Sequence, residues 1–588
     1  MKIFRFSVAA ASFALLLAST LAFAAVVEHT FNVCAPSLIP LISCLRKHVE
    51  NLIVQRLCHK HVITAINGRL PGPTIEVRDG DTLVVHVLNK SPYNITIHWH
   101  GIFQLLSAWS DGPEYITQCP IPYGSSFTYK FNITGQEGTL WWHAHSSWLR
   151  ATVYGALIIR PRLGNSYPFT KPYQEVPLLL GEWWNMNVMD VESQAQAIGA
   201  TPKESNAYTI NGLPGDLYPC SKNHTYKVKV KQGKTYMLRI INAALNEQHF
   251  FKIANHKFKV VAIDASYTKP YDTKVVVVAP GQTVDVLFKA NQKVGLYYMT
   301  ATPYHTLNGI FNNSTARGIV VYHSASSLTP KMPILPPFND TPIAHKFYTN
   351  IKGLASGPHW VPVPCNVDEH MFITFGVNLD HCNLKGPNNT CGGPNGSRLS
   401  ASMNNESFVI PEGRGFSMLE AFFRNVNGVY TNDFPNKPPI EFDYTNPAIN
   451  NLLGSLAFAP KSTKVKKLKF NSTVEIVLQN TAILAVESHP IHLHGFNFHV
   501  LAQGFGNYNS TKDEQKFNLV NPQIRNTIAV PVGGWAVIRF QANNPGMWIM
   551  HCHLDVHLPW GLAMAFEVEN GPTPMSTLPP PPTNYPKC

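Results

Sequence analysis

The sequence predicts an all-β protein made of three copies of one Greek-key unit, each an antiparallel sandwich or barrel. Three observations predict it. Segments such as TIEVRDGDTLVVHVLN (74–89) and YKVKVKQGKTYMLRIIN (226–242) alternate apolar and polar residues with the period of half-buried strands. The 38 Gly and 46 Pro imply frequent turns, and convincing amphipathic helices are few. A chain of 588 residues exceeds what one hydrophobic core organises, and this chain repeats itself.

The elements follow in order. Lys2 and Arg5 precede an apolar run that ends at Ala22-Phe23-Ala24, the pattern of a signal peptide over 1–24. The alternative is an uncleaved anchor, but no other stretch resembles a membrane span. Secretion agrees with N-x-S/T acceptors at Asn94, Asn132, Asn223, Asn313, Asn405 and Asn471, and places the protein outside the cell, free of the membrane after cleavage. The repeat then sets three units at 25–163, 172–325 and 405–588, with a Pro-containing connection over 326–404. ING at 66–68 precedes LPGPTIEV, and ING at 210–212 precedes LPGDLYP. More sharply, GTLWWHAH (138–145), GLYYMTAT (295–302) and GMWIMHCH (546–553) align, as do NITIHWHGIF (94–103) and HPIHLHGFNF (489–498). The middle copy offers only NEQHFFKI (246–253), so the first and third units carry the chemistry together.

That chemistry is metal chemistry. The motifs are His98-x-His100, His143-x-His145, His489-x-x-His492-x-His494 and His551-Cys552-His553 followed by His557. One H-x-H alone is more often coincidence or a hydrogen-bonded core pair, but four are not. On a strand, side chains at i and i+2 leave one face about 7 Å apart, so each pair presents two imidazoles to one volume. Eight histidines exceed the needs of a mononuclear site and imply a cluster of several metals between the first and third units. Imidazoles suit copper, zinc, iron or nickel. Cys552 narrows the choice: with period two it points away from His551 and His553, toward a second site that His489 and His557 can join. Two imidazoles and a thiolate are the ligands of a blue-copper electron-transfer centre, against the alternative of a buried structural cysteine. Electrons arriving at Cys552 would leave through the backbone to His551 and His553.

These residues resemble the multicopper oxidases, and more closely the plant laccases, over nearly the whole mature chain. The resemblance implies three cupredoxin-like domains and four copper ions. His489, Cys552 and His557 resemble type 1 ligands, His98 and His492 the type 2 ligands, and His100, His143, His145, His494, His551 and His553 the ligands of a type 3 pair. It implies one-electron oxidation of phenols (p-diphenols, methoxyphenols, monolignol-like compounds) coupled to reduction of O2 to two waters, with radical coupling as in lignin formation. Ten residues after Cys552, where some relatives carry an axial Met, stands Leu562, a non-ligand that raises the copper potential. Asp111 and Asp555 resemble residues of the cluster's proton-delivery network, although Asp111 also suits a turn before Gly112-Pro113. Disulfides Cys58–Cys220, Cys119–Cys588 and Cys382–Cys391 are implied, which leaves Cys34, Cys44 and Cys365. One departure stands out: residues 34–50 intervene where a related chain runs from HTFNV almost directly into NLIVQRL, and would interrupt the first strand as an insertion or a surface excursion.

The net charge of +12 is in its simplest form a solvated basic surface; it contains no run suited to nucleic acid and would suit an acidic cell-wall polysaccharide. Rival functions are an oxidase of ascorbate or a metal ion, which substrate comparison separates, and a silent wall protein, whose ligand motifs would be broken.

Overall fold

A computed structural model describes residues 24–34, 52–221, 223–307, 311–326, 329–384, 390–448, 454–484 and 486–588. The expected leader at 1–24 lies outside these residues except for Ala24, and the expected insertion at 34–50 except for Cys34. Among the described residues no helix is long and apolar enough to cross a membrane.

Alternation in the sequence becomes burial in the sheets. In the strand Thr82–Lys90, Leu83, Val85 and Val87 face inward while their neighbours stay partly exposed. Each fully buried side chain of this kind contributes roughly 1.5–3 kcal/mol. The first unit packs two four-stranded sheets around Phe31, Val85, Trp99, Phe127 and Trp142. The second and third units each pair a six-stranded sheet with a five-stranded one, and their strand orders correspond position by position. Non-consecutive strands lie side by side in all three, as Greek-key crossovers require.

The repeat extends to register. His98 in Ile97–His100 stands opposite His143 in Gly138–Ala144, and His492 in His489–Leu493 opposite His551 in Gly546–Cys552. The corresponding pair of the middle unit is Lys252 opposite Thr300, which explains why that unit holds no equivalent cluster.

The third unit begins earlier than the 405 expected. Strands Glu369–Asp380 and Arg398–Met403 lie within the expected connection 326–404, yet they are hydrogen-bonded into the third unit's six-stranded sheet. Glu369–Asp380 pairs parallel with Thr473–Asn480 and is buried over most of its length, so its sequence lacks the alternation by which half-buried strands are read. What remains of the connection carries one helix, Thr341–Asn350, capped by Asp340, whose side chain accepts from the Ile343 amide.

The three disulfides implied by resemblance, Cys58–Cys220, Cys119–Cys588 and Cys382–Cys391, are all formed. Cys119–Cys588 returns the C-terminus to the first unit, where Tyr585 donates to the Thr117 carbonyl and Trp109 to that of Pro579. Of the leftover cysteines, Cys365 is exposed and free.

Candidate metal centres

Four strands bring the eight cluster histidines into one volume between the first and third units. None is paired to a distant partner by chance of sequence: the antiparallel register sets His98 beside His143 and His492 beside His551, and the i, i+2 spacing adds His100, His145, His494 and His553. Their ligand-capable atoms fall into groups within 4.8 Å of one another: His98, His100 and His492; His100, His143 and His553; His145, His494 and His551. Nε2 of His494 lies 3.2 Å from Nε2 of His551, and Nε2 of His553 lies 3.2 Å from Nδ1 of His100. Such nitrogens face each other where a cation belongs between them.

The other ring nitrogens are already engaged, which fixes ring orientation. Nδ1 of His98, His143, His492 and His551 lies 2.7–2.9 Å from the carbonyls of Asp111, Ala144, Asn526 and Cys552 respectively. With Nδ1 donating, Nε2 is left as a lone-pair donor, and Nε2 of His98, His143 and His492 is buried without a hydrogen-bond partner among the described residues. Burial foremost, then the neighbouring imidazoles and, at His553, the Arg150 guanidinium ahead of them, push His100, His145, His492, His494 and His553 well below the usual histidine range, so these rings are neutral and ready to ligate. Orphaned nitrogens in imidazole-only groups fit the copper cluster expected here. The middle unit adds the wall: Gly281, at φ +90°, lies so close that a Cβ there would sit 3.0 Å from His553 and 3.1 Å from His100 and press on both rings.

Cys552 points to the other side of its strand, as period two requires. Its Sγ lies 3.6 Å from His489 Nδ1 and 3.4 Å from His557 Nδ1, and all three residues are buried. Burial pushes the thiol well above its ordinary range, a cost that a thiolate-binding metal would offset. His557 comes from the 3₁₀ turn Asp555–His557, and its Nε2 is 3.2 Å from Glu487. Burial opposes ionisation of Glu487, but His557 chiefly, with His489 and His305, holds its carboxyl below the usual range. Leu562 is fully buried in the same core, and its carbonyl accepts from the Cys552 amide at 3.0 Å.

Asp111 does both things the sequence allowed. It closes the 3₁₀ turn Ala108–Ser110 ahead of Gly112, whose φ of +107° and close approach to the Ile97 carbonyl admit no side chain. Its carboxylate, fully buried, lies 3.0 Å from His494 Nδ1 and 3.3 Å from His98 Nδ1. Asp555 lies 3.8 Å from Arg150.

Four groups at these centres carried no motif. Arg150 is buried, donates to the carbonyls of Ala244, Leu245 and His553, and places Nη1 3.0 Å from His553 Nδ1. Glu487 backs His557, and Glu114 and Glu192 line a cavity of about 320 Å³ that reaches His143, His145 and His551. Only proximity to HPIHLHG hinted at Glu487; nothing in the sequence singled out the others.

Three family models, each described as multicopper oxidase, match at residues 48–164, 174–325 and 433–572. Laccase-7 of Arabidopsis thaliana is 58% identical over 580 residues, covering 98% of each chain. Laccase-24 of Oryza sativa subsp. japonica is 53% identical over 594 residues, again covering 98% of each. Among solved structures, the laccase from Botrytis aclada superposes with a TM-score of 0.70 at 26% identity, covering 95% of this chain and 89% of that one. Fet3p, a multicopper oxidase that functions in iron import, gives 0.68 at 21% identity, covering 92% and 90%, a likeness of fold.

Proposed function

We propose that this chain, which belongs to the multicopper oxidase family, is a laccase that oxidises four phenols by one electron each and reduces one O2 to two waters. The observation that carries this reading is the tripeptide His551-Cys552-His553, which joins a thiolate site to an eight-histidine cluster in a chain 58% identical to a plant laccase.

In this reading four coppers are held: a type 1 ion by His489, Cys552 and His557, a type 2 ion by His98 and His492, and a type 3 pair by His100, His143, His145, His494, His551 and His553. Bound copper supplies one-electron oxidation at the thiolate site and four-electron oxygen reduction at the cluster. The protein's own residues do the rest. Glu487 fixes the ring of His557, and Leu562, buried in the core around Cys552, would offer a copper there hydrocarbon instead of a donor. Asp111, against two cluster imidazoles, and Asp555, at the cavity, belong to the hydrogen-bond network that delivers the four protons oxygen reduction consumes. Phenols such as p-diphenols, methoxyphenols and monolignols are the substrate class, and secretion to the apoplast, with a basic surface against acidic wall polysaccharide, is the setting. Of the six named glycan acceptors, all but the half-buried Asn405 are exposed, which supports passage through the secretory route.

The test is the absorption spectrum and copper count of the purified protein with its Cys552→Ser variant. The parent should show a blue band and about four coppers, and phenol should be consumed faster than ascorbate or Fe(II). The variant should lose the blue band and phenol oxidation while keeping most of its cluster copper. A blue band that survives in the variant would remove Cys552 from the type 1 site.

A further inference from the structure

The cluster is closed on most sides. Seven of its eight histidines are at most 2% exposed and His145 is half-buried, yet each turnover must bring in O2 and four protons and release two waters. Copper-bound imidazoles have no spare proton to give, so the protons must come from groups that meet both the cluster and solvent.

The cavity of about 320 Å³ has that form. At its inner end are His143, His145 and His551; at its outer end is Glu412, an exposed residue held by the Tyr115 hydroxyl at 3.4 Å. The volume is enough for several waters. Between the two ends stand Glu114 and Glu192, which the assignment above does not use. Glu114 follows the Asp111-Gly112-Pro113 turn and takes a hydrogen bond from the Ser146 hydroxyl. Glu192 projects from the helix Val188–Ile198, accepting from the Trp148 amide at 3.3 Å and from Gln196 Nε2 at 2.9 Å. Neither has an ion-pair partner among the described residues, so neither is held as a structural carboxylate.

We infer that this cavity is the solvent-exchange route of the oxygen-reducing site, and that Glu114 and Glu192 relay protons along it from Glu412 toward the cluster. The inference rests on the laccase reading. The balance is that of the reaction: O2 takes four electrons from four phenols and four protons along the route, and two waters leave by it. Electrostatics suit the task. Glu114 is faced by Glu412, Asp555 and Glu192, Glu192 by Asp555 and Glu114, and the single cation on the lining is Arg150. Burial first, then these like charges, raise Glu114 to about 7 and Glu192 to about 8, so both gain and lose protons near neutrality.

The experiment uses the copper-loaded protein and Glu114→Gln, Glu192→Gln and their double variant, each checked for parental copper content, blue absorption and thermal midpoint. Anaerobic bleaching of the blue band by a phenol should proceed as in the parent. Reoxidation by O2 should slow about tenfold or more in Glu114→Gln, with a larger solvent isotope effect and an altered pH profile, and further in the double variant. In copper-free protein the infrared C=O stretch of protonated carboxyls should lose a component titrating near pH 7 in Glu114→Gln and one near pH 8 in Glu192→Gln. If Glu114→Gln loses copper, Glu114→Asp decides: it should load copper and reoxidise faster than the Gln variant of Glu192. Parental reoxidation rates and pH profiles in both Gln variants, or unchanged infrared titrations, would overturn the relay. Failure of the parent itself to bleach with phenol would instead overturn the laccase reading.

Discussion

At Leu562 the side chain is fully buried in the core that surrounds Cys552, so a thioether there meets the metal site and not solvent. Leu562→Met should lower the type 1 reduction potential, because sulfur stabilises Cu(II) over Cu(I). About 59 mV is a factor of ten in a one-electron equilibrium, so electron-poor phenols should slow more than electron-rich ones. The similar volumes limit the packing cost to less than about 1.5 kcal/mol. Redox titration of the copper-loaded variant checks this, and an unchanged potential would take Leu562 out of the axial position. Glu182 makes a second prediction. It is buried, accepts from the Leu245 and Asn246 amides, and burial raises it from 4.5 to about 8. Between those values the folded chain holds a proton that the unfolded chain has released, so stability falls as pH rises through this window and is level above it. Glu182→Gln keeps the acceptor oxygen and cannot titrate. Its thermal midpoint should match the parent near pH 4.5 and exceed it near pH 8, by the equivalent of about 1 kcal/mol or more. A difference that does not vary with pH would refute the assignment. Side chains of this kind were not legible in the sequence. The H-x-H pairs were, because a strand's period of two converts spacing into direction, and it placed Cys552 opposite its neighbours for the same reason. Arg150, Glu114 and Glu192 act from turns and a helix, where spacing says nothing about what a side chain meets, and Glu182, though it lies on the strand Gln174–Trp183, is a lone carboxylate with no motif around it.

Among the elements, the hairpin Leu52–Arg56 with His59–Ile63 holds a record of the segment before it. Leu52 pairs with Ile63, while two residues further along the same run Ala65 pairs with Cys34. On an uninterrupted antiparallel partner, Ala65 would face Glu50. Cys34 therefore occupies the register position of Glu50, and Val26–Cys34 and Leu52–Arg56, although in separate sheets, pair in one continuous register with the run 59–66. The offset predicts that removing residues 35–50 joins them without a register slip, which a deletion of one residue more or fewer would cause. The deletion should give at least the parental yield of secreted, copper-loaded protein, and deletion of 35–49 or 35–51 distinctly less, read by secretion and blue absorbance. Equal yields from all three would mean the register is not continuous in the folded protein. The same physics explains the misplaced start of the third unit: Glu369–Asp380 pairs parallel and is buried on both faces for most of its length, so the alternation that revealed Thr82–Lys90 is missing from it.

For the whole molecule, the cluster is also a joint. His98, His100, His143 and His145 belong to the first unit and His492, His494, His551 and His553 to the third, and Cys119–Cys588 is the covalent tie between the same two. Copper that binds all of them binds only when the units are docked, so its binding free energy adds to docking by mass action, about 2.7 kcal/mol for each site at one hundred times its dissociation constant. Without copper, the eight imidazoles remain buried and partly without partners, which leaves polar atoms uncompensated at the interface. Chelation should therefore lower the thermal midpoint and broaden or split the calorimetric transition, as the units begin to unfold separately. The thiolate site lies within the third unit alone, since His489, Cys552 and His557 all come from it. Cys552→Ser should accordingly lower the midpoint much less than chelation and leave the transition single. Scanning calorimetry of parent, chelated parent and Cys552→Ser reads all three, and re-adding copper to the chelated protein should restore the parental curve. Equal midpoints for parent and chelated protein would show that the units dock without the metal, and that the histidines at their boundary serve only the chemistry.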